Sequence, residues 1–127
     1  MMHLSCAAQT RTDTCKWEYD SLFHSKVYTW VDQMPQYKEG QTDVLQFFSK
    51  NFKYPISQKR FQGSVNLAFI ITASGEIRNA SVLGKEKKNF TEVDKEALRV
   101  LSIMQRWKPG ECHGIKVPVK ILLPLKF

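Results

Sequence analysis

The residues with the greatest chemical reach are the neighbouring Cys112 and His113, a thiol beside an imidazole, with Cys6 and Cys15 as the other two thiols. A cysteine nucleophile needs its base aimed at the same reacting atom and a third group to orient that base. Neighbours on a loop point apart, and no third group is legible, nor any defensible pair of carboxylates. The sequence therefore predicts no catalytic residue and no enzyme. The cysteines form no CxxC or CxxH, so neither a zinc site nor a thioredoxin-like motif is indicated, and no metal or cofactor is expected. In an oxidising compartment Cys15 and Cys112 could pair, closing a loop long enough to contribute about 4 to 5 kcal/mol in the chain-entropy model. Otherwise they are plain loop residues.

These residues must be positioned by a small scaffold. A chain of 127 residues with 43% apolar and 24% charged side chains supports one core and not two. No run of about 18 apolar residues occurs that could span a membrane as a helix. Met1 to Thr10 ends in small residues, as a secretory signal does, but lacks its apolar centre. Residues 1–21 read as a signal remnant or flexible tether and 22–127 as the domain. Cys6 could carry a lipid anchor, although His3 stands where a leucine would strengthen that reading. Residues 1–43 hold four basic and six acidic side chains, a net of −2, which leaves +9 on the remainder. Such a basic domain attracts acidic peptides, anionic membranes or nucleic acid, and charge alone does not choose among them.

The pattern of side chains then supplies the elements. Val27 to Val31 is β-branched and aromatic enough for a short strand, stopped by Met34-Pro35, with a partner that cannot be read. Val44, Phe48 and Phe52, with Leu45 and Phe47 beside them, draw an apolar stripe along a helix capped by Thr42 or Asp43 and ended by Tyr54-Pro55. Val65, Leu67, Phe69 and Ile71 alternate as a strand, and Ala73 to Glu76 turns it into a more polar one over Ile77 to Leu83. Thr91 and Asp94 resemble a capping box opening a second helix, buried through Val93, Ala97, Val100, Leu101 and Met104, with Arg106 and Lys108 near its end. After Pro109-Gly110, period two returns from Ile115 to Leu123. Pro118 inside that run predicts a strand with one side unpaired, with Lys116 and Lys120 keeping it soluble. The expected fold is α+β, a small antiparallel sheet with two helices packed on one face.

With the elements placed, the sequence resembles the C-terminal domain of TonB, the protein that couples inner-membrane energy to outer-membrane receptors in Gram-negative bacteria. The resemblance runs from about Val31 to Phe127. It rests on VDQMP at 31–35, Lys53-Tyr54-Pro55, the hairpin frame from Gly63-Ser64-Val65 to Gly75, and Asp94 to Leu98. It continues through Trp107-Lys108-Pro109-Gly110, Gly114 and the close Leu123-Pro124-Leu125-Lys126-Phe127. The upstream D-x-MP segment looks like the TonB-type proteins of the Bacteroidetes. Trp107 reads first as a core anchor and Pro109-Gly110 as a turn.

What the resemblance implies is a periplasmic partner-binding domain, in which the last long strand pairs with a receptor's TonB-box peptide and the YP region touches the receptor nearby. Carried over, Lys116, Val117, Val119, Lys120, Ile121 and Leu123 would form the pairing edge, and Asn51, Lys53, Tyr54 and Pro55 the adjoining contact. The chain as given carries neither the membrane anchor nor the proline-rich spacer of a full transducer. A stand-alone secreted or lipid-tethered protein is therefore expected slightly over a fragment. Membrane attachment would need a lipidated Cys6 or an anchor missing from this chain. Two rivals stay open. One is a self-associating or stand-alone interaction module, in which residues 27–31 cover the edge within one chain or across a homodimer. The other is binding to an anionic surface or nucleic acid through Lys50-Asn51-Phe52-Lys53-Tyr54, although no stacking motif of an RNA-binding sheet is present and nucleic acid is not expected.

Overall fold

The computed structural model describes residues 15–38, 41–55 and 63–127. In chain order these form β1 (Lys16–Asp20), β2 (Ser25–Trp30), α1 (Gln41–Asn51), β3 (Ser64–Ile71), β4 (Ile77–Val82), α2 (Glu92–Ser102), β5 (Gly110–Cys112), β6 (Ile115–Val117) and β7 (Val119–Lys126). Five strands make one sheet in the order β1-β2-β7-β3-β4, and β5 with β6 makes a separate two-stranded ribbon. The α+β fold with helices on one face is as the side-chain pattern implies. The sheet is mixed, however, because β2 joins β7 in parallel at Tyr28 opposite Val119.

Alternation along β3 decides where the core lies. Val65, Leu67, Phe69 and Ile71 point to the helices and meet Val44 and Phe48 of α1, Val93, Ala97, Val100 and Leu101 of α2, and Leu123 and Leu125 of β7. The α2 cap forms as expected: Thr91 accepts from the Asp94 backbone N–H at 3.0 Å, and the Asp94 carboxylate accepts from the Thr91 N–H at 2.9 Å. Buried Asp94 also meets Lys85 at 2.7 Å, so its charge has a partner. Arg106 and Lys108 lie beyond the end of α2 at Ser102, where Arg99 is the basic residue of the last turn. Arg106 instead reaches Glu76 and the Ser74 carbonyl. α1 begins at Gln41, so Thr42 and Asp43 fall inside its first turn rather than before it.

Trp107 is the anchor its motif implied. It is 6% exposed and meets the rings of Tyr37 and Phe69, each at 5.6 Å. Its backbone N–H bonds the Gly75 carbonyl at 2.9 Å. Gly75 has φ +89°, and a Cβ there would sit 2.1 Å from the Trp107 carbonyl oxygen, so both the turn and the close approach require glycine.

Two expectations about the ends of the domain change. Lys16–Asp20 is a strand, although residues 1–21 had read as tether. Its hairpin partner β2 supplies pairing that the polar side chains of Lys16, Glu18 and Asp20 conceal. The roles assigned to residues 1–14, Cys6 included, lie outside the described residues. Ile115 to Leu123 is also not one strand. Pro118 divides it, β6 turning back on β5 while β7 runs on to Lys126.

Candidate functional site

The outer side of β7 is where an added strand could pair. On its inner side β7 is antiparallel to β3 along its whole length, from Val119 opposite Ile71 to Lys126 opposite Ser64. Gly63 and Phe127 exchange two backbone bonds, at 2.8 and 3.5 Å, which sets the phase of the ladder. Alternation then turns the backbone groups of Phe127, Leu125, Leu123, Ile121 and Val119 toward β3, and those of Lys126, Pro124, Leu122 and Lys120 outward. Pro124 thus sits at an outward position, where its missing N–H takes no bond from the ladder.

The two halves of that outer side differ. Over the first half β2 is already in place, with the Tyr28 N–H donating to the Pro118 carbonyl at 2.9 Å. After Trp30 the chain leaves the β7 ladder, Gln33 and Gln36 forming bridges to Glu111 and Lys108 instead. From Leu122 to Lys126 no strand among the described residues covers the outer side.

Two grooves border this open stretch. One, of about 340 Å³, is lined by Met34, Pro35, Tyr37 and Trp107 together with Ile121 to Pro124. The other, also about 340 Å³, lies between Leu45, Phe48 and Phe52 of the α1 region, Tyr54, and Leu125 to Phe127. Phe52, Tyr54 and Phe127 form a mutual aromatic cluster with centroids 4.9 to 5.7 Å apart.

The segment after α1 is pinned by α2. The Glu96 carboxylate accepts the Lys53 backbone N–H at 2.8 Å and pairs with Arg99 at 2.7 Å, while Arg99 also donates to the Asn51 carbonyl at 2.8 Å. Chiefly the hydrogen bond from Arg99 holds the Glu96 carboxyl below its ordinary value of 4.5; partial burial opposes this, and the Lys53 N–H adds to it. Asn51 turns its side chain back onto the Phe47 carbonyl at 2.8 Å, a structural bond. Lys53 and Tyr54 are exposed, and Pro55 is half-buried beside them.

The residues expected to act together are therefore only partly brought together. Tyr54 lies beside Phe127, at the far end of β7 from Val119, roughly 26 Å along the strand. Lys116 and Val117 belong to the β5–β6 ribbon, opposite Glu111 and Gly110. Val119 is paired on both sides, to Ile71 and to Tyr28, so the edge expected over 116–119 is not open. The covering strand is β2, Ser25–Trp30 rather than 27–31, and it joins β7 within one chain at Tyr28 opposite Val119. Lys120 lies at the boundary, and Ile121 and Leu123 belong to the stretch that borders the first groove. The open stretch and its two grooves add Met34, Tyr37, Lys126 and Phe127 to the residues named from the sequence. A second proline in the same strand, Pro124, was the available signal that the edge continues beyond Leu123.

Cys15 and Cys112 form a disulfide, with Cα atoms 6.2 Å apart. Their sulfurs and a His113 nitrogen lie within 4.8 Å of one another, but the sulfurs are bonded to each other and are not thiolates free to ligate a metal. No helix among the described residues is long and apolar enough to cross a membrane.

The fold and the site define a small α+β domain whose central strand, among the described residues, is open on one side over half its length and flanked by apolar grooves. The family model for the Gram-negative bacterial TonB protein C-terminal matches residues 50–127, more than half of the chain, and the chain belongs to that family. No curated protein matches the chain, and no solved structure does. The family is a periplasmic, non-enzymatic interaction domain of transport that contacts outer-membrane receptors.

Proposed function

We propose that this domain works in the periplasm by docking a short extended segment of an outer-membrane receptor, of the TonB-box kind, as an added strand on β7 between Leu122 and Lys126. The observation that carries this reading is the outer side of β7, which no strand among the described residues covers between two apolar grooves. Leu122 and Lys126 each offer an N–H and a carbonyl, and Pro124 a carbonyl alone, so the added strand makes at most about five backbone bonds. At about 0.5 to 1.5 kcal/mol net each, offset by ordering the peptide and by association entropy, affinity is roughly micromolar or weaker. Side chains on the inward face of the added strand enter the grooves and select the sequence. Lys53 and Tyr54 flank the second groove, and Asn51 acts by holding that segment in place.

The test is a pair of proline variants titrated with a receptor-derived peptide and followed by amide NMR. Leu122→Pro removes an outward N–H and spares the β3 ladder, so the domain stays folded and binding weakens by about threefold or more. Leu123→Pro removes a ladder bond and destabilises the fold itself. Unchanged affinity in a folded Leu122→Pro protein refutes docking on this edge. Binding that collapses steeply with added salt would instead favour an anionic surface as the ligand.

A further inference from the structure

We propose that the outer side of Pro118 to Lys120 is a latent extension of the pairing edge, covered by β2 and uncovered when the Cys15–Cys112 disulfide is reduced. The uncovering rests on the hairpin's own attachments; the use of the uncovered edge by a partner strand rests on the docking reading above.

The β1–β2 hairpin is thinly attached. Its register with β7 is a single residue pair, Tyr28 with Val119. Of its strand residues only Val27 is buried, while Trp17, Tyr19 and Trp30 are 50%, 64% and 55% exposed. The hairpin has two feet, and both stand on the β5–β6 ribbon. The foot after β2 is held by backbone, Gln33 and Glu111 exchanging bonds at 3.2 and 2.9 Å, with the Asp32 carboxylate accepting the His113 N–H at 3.1 Å. The foot before β1 is held by the disulfide. Cutting that bond leaves a hairpin anchored at one end, with a small buried surface and one parallel bridge to keep it closed. Elements with few buried contacts open at low free energy while the core stays folded.

The bond is within reach of a reductant, since Cys15 and Cys112 are half-buried and His113 and Gly114 at the ribbon tip are exposed. One thiolate of a dithiol attacks a sulfur of the pair and forms a mixed disulfide. Its second thiol then displaces the protein sulfur. Two electrons and two protons pass to Cys15 and Cys112, and the reductant leaves as its own disulfide. With β2 away, the Pro118 carbonyl and the Lys120 N–H join the outward groups of Leu122, Pro124 and Lys126 in one edge.

Hydrogen exchange on the whole chain tests the uncovering without any peptide. Wild type is compared with and without dithiothreitol, and with the Cys15→Ser/Cys112→Ser double variant. Residues 16–30 should exchange about tenfold faster or more in both forms that lack the disulfide, while Val65 to Ile71 remain protected. Equal exchange in the oxidised and reduced forms overturns the proposal. So does loss of protection throughout β3, which would make the disulfide a staple of the whole fold rather than of the hairpin. A receptor-derived peptide should then shift amides from Leu122 to Lys126 in the oxidised protein, and Val119 and Lys120 as well in the reduced one. An open hairpin with an unextended footprint overturns the latent edge. Binding to neither form refutes the docking reading and the partner's use of the edge with it, while exchange still decides whether the hairpin is released.

Discussion

The two halves of β7 share one strand and one inner partner, yet they live in different surroundings. The half from Ile121 onward lies over the main core, where Phe69, Leu101, Trp107 and Leu123 are all closed off from solvent. The half around Val119 sits over a much smaller cluster of Val31, Val117 and Val119, finished by the disulfide and by Tyr28. Where the core is large, the fold tolerates an unpaired outer edge. Where it is small, the chain supplies its own extra strand and a covalent bond. An open edge is a hazard unless something else stabilises the strand that carries it. The large core behind Leu123 and Leu125 is what holds the second half of β7 in place where the described residues give it only one ladder partner.

The largest effect should come from removing that depth. Trp107→Ala takes a buried ring from beside Tyr37 and Phe69, and it is expected to cost about 3 to 5 kcal/mol in urea unfolding, enough to threaten the fold. Trp107→Phe should be far milder, because the indole N–H has no acceptor among the described residues and its loss removes a buried unsatisfied donor. A Trp107→Ala protein of unchanged midpoint would show that the main core does not support the open half. On the hairpin side, Val27→Ala removes the one buried apolar side chain of β1 and β2. Its two lost methyl equivalents correspond to about 1.5 kcal/mol, and the effect should be local. Amides of residues 16–30 should exchange faster, with those of β3 unchanged. Faster exchange throughout the protein would erase the distinction between the halves.

What could be read from the sequence follows the same division. The main core announced itself through period two in Val65 to Ile71 and a helical stripe in Val93 to Leu101, because each element buries one continuous face. Thr91 and Asp94 could be read as a cap because their bonding partners are three residues apart. The hairpin could not be placed, because β1 is mostly exposed and Tyr28 of β2 finds its β7 partner far along the chain in Val119, a pairing no local pattern encodes. The site suffered for the same reason. Pro118 marked an interruption correctly, but only the path of β2 decides that the edge is closed before Lys120 and open after Leu122. Tyr54-Pro55 was recognised as a unit, yet its neighbour in space is Phe127 and not the ribbon that holds Lys116.

A smaller effect separates the helix that backs the open half from the strand it backs. Thr91→Ala removes the side-chain acceptor of the capping box and should cost about 1 kcal/mol. It leaves Asp94 to accept the residue 91 N–H and to meet Lys85. Peptide affinity should be unchanged in this variant, since Thr91 lines neither groove and its cap leaves in place Glu96 and Arg99, which tie α2 to the Asn51 to Tyr54 segment. A loss of affinity comparable to that of Leu122→Pro would mean that the cap is communicating with the edge by some route other than these two side chains.

The subtlest test uses acid. Glu96 has its pKa lowered, chiefly by the hydrogen bond from Arg99 and further by the Lys53 N–H. A carboxyl with a depressed folded-state pKa binds fewer protons folded than unfolded, so its contribution to stability is complete above the ordinary value of 4.5 and is lost as pH falls through the folded value. What fails first on protonation should be the tie between α2 and the Asn51 to Tyr54 segment, not the core. Tyr54 ring signals should therefore move below about pH 4.5 while Trp107 signals hold. Glu96→Gln keeps the size of the side chain and an acceptor for the Lys53 N–H but takes up no proton in this range, so this acid-dependent shift of Tyr54 should vanish. If Tyr54 titrates alike in both proteins, another carboxylate controls the segment, and the positioning of the second groove by α2 is wrong.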